Sequence, residues 1–208
     1  MIVESYLRLM PSTFDFCLPS RASAVPHTAD WLHEIKYDGY RLRLERDGDR
    51  VRLFTRNGYD WTKRYPWIVE TALKIRMKQF VIDGEAVVLG VDGIPDFDAL
   101  HSRKNDDEVQ LYAFDIMALD GDDLRPLPLS LRKTNLTRLL ARRPDGIFVA
   151  PFERGEIGPD LFRAACNCLE AQRSTVSRWP VARLDQGEEP GASRIQPRGR
   201  GDALKAML

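Results

Sequence analysis

A chain of 208 residues can bury one substantial core, and 43% hydrophobic with 30% charged residues is the balance of a folded globular domain, not of a disordered or fibrous chain. The formal net charge is zero, 31 basic against 31 acidic residues, which excludes a protein that grips nucleic acid by its overall field; any such face has to be a local patch. Three cysteines, Cys17, Cys166 and Cys168, and three histidines make neither a disulfide framework nor a zinc pattern. The first ten residues lack a signal cleavage site and no apolar run is long enough to span a bilayer, so the expected compartment is the cytoplasm, with no membrane partner.

In chain order, alternation across residues 40–46 and 51–55, joined at Asp47-Gly48, predicts an antiparallel hairpin. Trp67, Ile68, Thr71, Ala72 and Ile75 fall at helical spacing, so a helix is expected over much of residues 61–78. Residues 80–82 and 86–89 read as two strands around Asp83-Gly84-Glu85, and residues 109–115 as a third. Leu131, Leu136, Leu139 and Leu140 share a stripe that predicts a helix over residues 129–142, stopped before Pro144 and Gly146. Residues 147–150 read as a short strand and 160–167 as a short helix. The sum is an α+β layout of antiparallel strands with flanking helices, one domain over residues 1–170. From residue 171 to 208 no period of 2 or 3.6 is sustained, which reads as an irregular, disordered tail.

The chemistry concentrates in Lys36-Tyr37-Asp38-Gly39-Tyr40-Arg41, a lysine, a glycine and an arginine closely spaced behind Trp31-Leu32-His33-Glu34-Ile35. A lysine amine attacks only when neutral, so such a site must lower its pKa by burial or nearby positive charge. Gly39 permits a close backbone approach, and the planar fork of Arg41 suits phosphate or ribose oxygens. The same residues also read as an exposed Asp-Gly hairpin. Arg41, Arg43, Arg46, Arg50, Arg52, Arg56, Lys63 and Arg64, interleaved with Tyr and Trp, form a basic concentration that reads either as a nucleic-acid face or as the solvated side of a β-ribbon.

Taken in order, these motifs resemble those of the covalent nucleotidyltransferases, and among them the ATP-dependent DNA ligases of the bacterial end-joining type. Thr55-Arg56-Asn57-Gly58 with Asp60-Trp61-Thr62, then Asp83-Gly84-Glu85, then Tyr112-Ala113-Phe114-Asp115 leading into Leu119-Asp120-Gly121, look like the family's successive motifs. The resemblance implies an ATP-grasp-like, antiparallel-sheet adenylation domain that uses ATP and Mg²⁺ to seal nicked or broken double-stranded DNA alongside repair proteins. Lys36 would form the lysyl-AMP, Glu34 would read the adenine edge, and Arg41, Arg56, Glu85 and Phe114 would hold the nucleotide. Glu85 and Glu170 would serve both nucleotide and metal. An RNA ligase or capping-type guanylyltransferase would share Lys36 and Arg41, and a non-catalytic nucleotide- or DNA-binding relic would share the fold.

After Glu170 the sequence departs from the family pattern. Cys168-Leu169-Glu170 stands where a Glu-Gly-x-Val-x-Lys motif is expected, and no later Trp-x-Lys-x-Lys appears. Permitted codons for residues 172–197, read one nucleotide later, spell an Arg-Pro-Tyr segment with a Trp-x-Lys-x-Lys ending. Gln186-Gly187-Glu188-Glu189 forces Lys or Arg at the first and third shifted positions. The tail is therefore expected to be out of frame and activity impaired, since lost electrostatic donors of this kind cost about 10²–10³-fold.

Overall fold

The computed structural model describes residues 14–17, 24–142, 145–170 and 181–183. Its elements are β1 (Trp31–Glu34), β2 (Tyr40–Asp47), β3 (Arg50–Thr55), α1 (Pro66–Lys74), β4 (Gln79–Val87), α2 (Phe97–Ser102) and β5 (Gln110–Leu119). There follow β6 (Asp122–Asp123), α3 (Leu129–Leu139), β7 (Ile147–Val149), β8 (Phe152–Arg154), α4 (Gly158–Glu170) and β9 (Val181–Arg183). They fall into two compact units, the first within Met1–Phe16, Tyr37–Leu127 and Leu131–Ala150, the second within Cys17–Lys36, Pro128–Ser130 and Pro151–Leu208.

The first unit is a six-stranded sheet in the order β3-β2-β4-β5-β6, antiparallel throughout, with β7 added parallel to β5. Period-2 alternation turns Leu42, Leu44, Val51 and Leu53 of the hairpin to one side, where they meet Ile68 and Ala72 of α1, Phe80, Ile82, Leu111 and Leu136 in one buried core. Each such large side chain, fully buried, contributes roughly 1.5–3 kcal/mol. The opposite side of β2 carries Arg41, Arg43 and Glu45, and its register sets Arg41 against Glu85 and Arg43 against Asp83. That polar face is what the fold positions.

Several elements differ from the sequence reading for identifiable reasons. Helix α1 begins at Pro66, not near Trp61, because residues 59–62 close on the edge of β3: Trp61 N–H donates to Leu53 O at 2.8 Å and the Thr62 hydroxyl accepts from Leu53 N–H at 3.0 Å. Proline at the first helical position then fits the start. The helix ends at Lys74, where the buried Arg46 donates to Ala72 O and Ile75 O at 2.6 Å each. Arg46 is thus a C-terminal cap inside the core and leaves the basic patch in which the sequence placed it. The two strands expected around Asp83-Gly84-Glu85 are one, β4, because Gly84 lets Tyr112 O approach within 2.8 Å of where a Cβ would sit. Helix α3 stops at Leu139 as Ala141 N–H turns back to Arg138 O.

The second unit is a three-stranded antiparallel sheet, β8-β1-β9, with α4 following β8. His33 is buried on β1 with Nε2 2.8 Å from Gly155 O, and glycine stands at the first position of α4, Gly158, because a Cβ there would meet the His33 ring at 2.4 Å. Of the tail expected to be irregular, Val181–Arg183 forms β9, with Val181 opposite His33 and Arg183 opposite Trp31; the rest of residues 171–208 lies outside the described residues. Among the described residues no helix is long and apolar enough to cross a membrane.

Candidate active site

Gly39 makes the entry to β2. Its backbone runs so close to β4 that a Cβ would lie 2.2 Å from Ala86 O, which is why glycine stands there; the glycine serves close approach and not a left-handed turn. Two residues later Arg41 spans the sheet face diagonally. Its Nε and Nη2 donate to the two oxygens of Asp83 at 3.0 and 2.6 Å, a bidentate pair that fixes the guanidinium plane. Burial pushes the Asp83 carboxyl above its usual range, and the Arg41 and Arg43 guanidinium groups oppose that rise. Removing Asp83 alone would take this bidentate partner from Arg41, a change worth about 3–5 kcal/mol for buried pairs.

Aromatic rings bracket the same guanidinium. Its carbon lies 5.2 Å from the centroid of Phe114 and 5.1 Å from that of Phe16, within cation–π range of both. Phe114 owes its position to a bulge: Asp83 pairs with Asp115 but Gly84 with Ala113, so Phe114 is the extra residue in β5. From α3 the buried Lys133 donates its Nζ to Phe114 O, while Arg132 grips both oxygens of Asp115 at 3.0 and 3.1 Å. The bulge is therefore held from behind at two successive residues. Beside it, the Tyr37 and Tyr112 rings pack at a tilt with centroids 4.5 Å apart, and burial raises both phenol pKa values.

The expected site residues are placed as follows. Arg41, Glu85 and Phe114 share the first unit's polar face, with Glu85 buried opposite Arg41. Arg56 is exposed in the turn after β3, one residue past Thr55, whose partner is Leu42; Gly58 closes that turn at φ 81°. Glu34, buried at the end of β1, and the exposed Lys36 belong to the second unit. Glu170 is the last residue of α4, and its side chain is outside the described set. Sequence reasoning missed Asp83 and Phe16 as parts of the Arg41 clamp. Asp83 was within reach, since it lies two residues from Glu85 on the same strand face.

The first unit is thus an antiparallel-rich α+β sheet whose polar face is organised around Arg41. Residues 18–156 match the ATP dependent DNA ligase domain family, and the chain belongs to that family of enzymes. It is 34% identical over 157 residues to the multifunctional non-homologous end joining protein LigD of Pseudomonas aeruginosa, covering 73% of this chain and 19% of the relative. Among solved structures, a mycobacterial DNA ligase D complexed with ATP and MES aligns at a TM-score of 0.65 and 31% identity over 84% of this chain and 55% of the other. The ligase domain of LigD from M. tuberculosis aligns at 0.62 and 31% identity over 90% and 56%. The chain thus spans less than a fifth of the Pseudomonas relative and about half of the solved ligase chains.

Proposed function

We propose that this chain carries out nucleotidyl transfer as the adenylation domain of an ATP-dependent DNA ligase of the bacterial end-joining type. The observation that supports the reading best is the polar sheet face on which Arg41, clamped by Asp83, is packed against Phe114 beside the buried Glu85, five residues after Lys36. The neutral Lys36 amine attacks the α-phosphorus of ATP, the bond to the β-phosphate oxygen breaks, and pyrophosphate leaves. A DNA 5′-phosphate oxygen then displaces the lysine, and the neighbouring 3′-hydroxyl expels AMP to close the nick. Positioning and charge neutralisation carry most of such phosphoryl transfers.

In this reading Phe114 presents its ring to the adenine, Glu34 accepts from the adenine edge, Arg41 and Arg56 take ribose or phosphate oxygens, and Glu85 takes the ribose. Magnesium binds through one or two carboxylates plus substrate phosphates, a demand that the buried carboxylate of Glu85 fits and to which Glu170 would add. When bound, the ion would neutralise phosphate charge. Nicked or broken duplex DNA is the proposed substrate, repair proteins are the proposed partners, and the cytoplasm is the proposed location.

Incubation with α-labelled ATP and Mg²⁺ tests the nucleophile: the label is expected to be weak, acid-labile and absent from Lys36→Ala. Label retained by Lys36→Ala overturns the assignment. Calorimetry tests the cradle, with Phe114→Ala expected to weaken ATP binding roughly tenfold, as the loss of an aromatic stacking partner worth about 1–3 kcal/mol per base requires.

A further inference from the structure

Phe14 and Phe16 stand ahead of the family-matched residues, which begin at 18, yet they are tied to the polar face of the first unit. Phe14 is 3% exposed and packs with Val81 of β4 and with Met117 and Ala118 of β5, a cluster apart from the main core. Val81 stands two residues before Asp83 and opposite Glu45, so Phe14 sits on the side of the sheet that carries Arg41 and Arg43. Two arginines hold it there. Arg43 Nη1 donates to Phe14 O while its Nε donates to Glu45 at 2.6 Å, and the Arg125 guanidinium, paired with both oxygens of Asp123, lies 4.8 Å from the Phe14 centroid. Phe16 follows, half-buried, with its centroid 5.1 Å from the Arg41 guanidinium carbon and 5.6 Å from that of Arg43.

A carboxylate and a ring constrain a guanidinium in different ways. Asp83, through Nε and Nη2, fixes Arg41 within the plane of the fork, but that plane can still tilt about the axis joining the two side chains. A ring on the guanidinium face opposes the tilt, because tilting lifts the cation away from the negative π cloud. Phe114 is also in range, at 5.2 Å, but in the proposed function its ring is given over to the adenine. Phe16 is then the ring that stays with the cation. A phenylalanine that merely filled space would be expected among apolar side chains, as Phe14 is, whereas Phe16 is within cation–π range of two guanidinium groups.

We propose that Phe16 is a positioning residue for nucleotidyl transfer: presented by the Phe14 anchor, it holds the Arg41 guanidinium at the tilt that the ribose or phosphate oxygens of ATP require. The proposal rests on the proposed function for the identity of the nucleotide. The packing of Phe16 on Arg41 is independent of it.

The test is calorimetric titration of the full chain with ATP. Phe16→Leu keeps an apolar side chain over Arg41 and removes the ring, and it is expected to weaken ATP binding roughly three- to tenfold, the range of a partly desolvated cation–π contact. Phe16→Tyr keeps the ring and is expected to bind within about twofold of the parent. Phe16→Met, a flexible gap-filler, repeats the measurement where leucine alters the urea unfolding curve. On an Arg41→Lys background, whose ammonium is a point charge with no plane to orient, Phe16→Leu is expected to add nothing. The same loss on that background would overturn the proposal, since Phe16 would then act on ATP without Arg41. So would a Phe16→Tyr as weak as Phe16→Leu in variants whose unfolding curves match the parent. A parent that fails to bind ATP overturns the proposed function and with it the nucleotide named here; a parent that binds while Phe16→Leu binds as tightly overturns the positioning role alone.

Discussion

At the residue scale, two glycines of the family-like motifs do different physical work, and a single methyl group separates them. At Gly39 the obstacle is the backbone oxygen of Ala86, 2.2 Å from the Cβ position, with Val87 Cγ1 at 2.9 Å; neither β2 nor β4 can yield without breaking the ladder between them. At Gly58 there is open space, and the cost is the left-handed φ of 81° alone. Gly39→Ala is therefore expected to cost the upper part of the roughly 1–3 kcal/mol seen for overpacking, and Gly58→Ala about 1 kcal/mol. Urea unfolding of the two variants checks this. Equal losses would mean that Gly39 is retained for conformation and not for space. Arg46 illustrates the opposite limit. Its neighbours in sequence are charged, Glu45 half-buried and Asp47 exposed, and only the packing of α1 against the hairpin reveals that its guanidinium caps a helix end inside the core.

At the element scale, the bulge of β5 is the feature on which the proposed adenine platform depends. An extra residue in a strand leaves ladder groups to be satisfied elsewhere, and Lys133 meets that need by donating to Phe114 O from α3. A double-mutant cycle tests whether this contact sets the ring. Lys133→Met is expected to cost about 1–3 kcal/mol by stranding the carbonyl, and to weaken ATP binding in the presence of Phe114 but hardly at all in Phe114→Ala. Additive effects on ATP affinity would show that Lys133 supports the fold without positioning the ring. The cycle also marks how far the sequence could be read. The β2–β3 hairpin was legible because its alternation and its Asp47-Gly48 turn are local. The strand β1 was not, because Trp31-Leu32-His33-Glu34 does not alternate and its partners are more than a hundred residues away. Lys36, Arg41, Glu85 and Phe114 stood in recognisable motifs, and Asp83 lay within one of them two residues from Glu85, whereas the roles of Arg132 and Lys133 follow from register and burial, which no local pattern encodes. Helix α2 carried a readable signal, Asp96 accepting from Ala99 N–H at 2.9 Å, in a stretch too short to show a period.

At the scale of the whole molecule, the proposed chemistry and the written tail pull against each other. The α-phosphate gathers charge as the lysine attacks, and the family's Trp-x-Lys-x-Lys has no match in residues 171–208, where Lys205 is the only lysine. The proposed account is that residues 171–208 are read out of frame. The coding DNA near Leu169-Glu170 should then show a deletion relative to an intact reading, and the next frame should encode the Arg-Pro-Tyr segment followed by the two lysines. Restoring that frame replaces Val181–Arg183, which in the written chain form β9 against Trp31–His33, so the new residues have to supply β1 with a partner strand as well as charge. Both effects are measurable. Two charge-assisted contacts at about 1.5–3 kcal/mol each correspond to a rise of roughly 10²–10⁴-fold in lysyl-AMP formation. Binding of ATP to the Phe114 face should change far less, since none of its residues is altered. Replacing either restored lysine by alanine should return most of one contact's share. A repaired chain that stays as inert as the written one, or codons that give no such peptide, would sink the frameshift account and leave β9 as part of the tail's native structure.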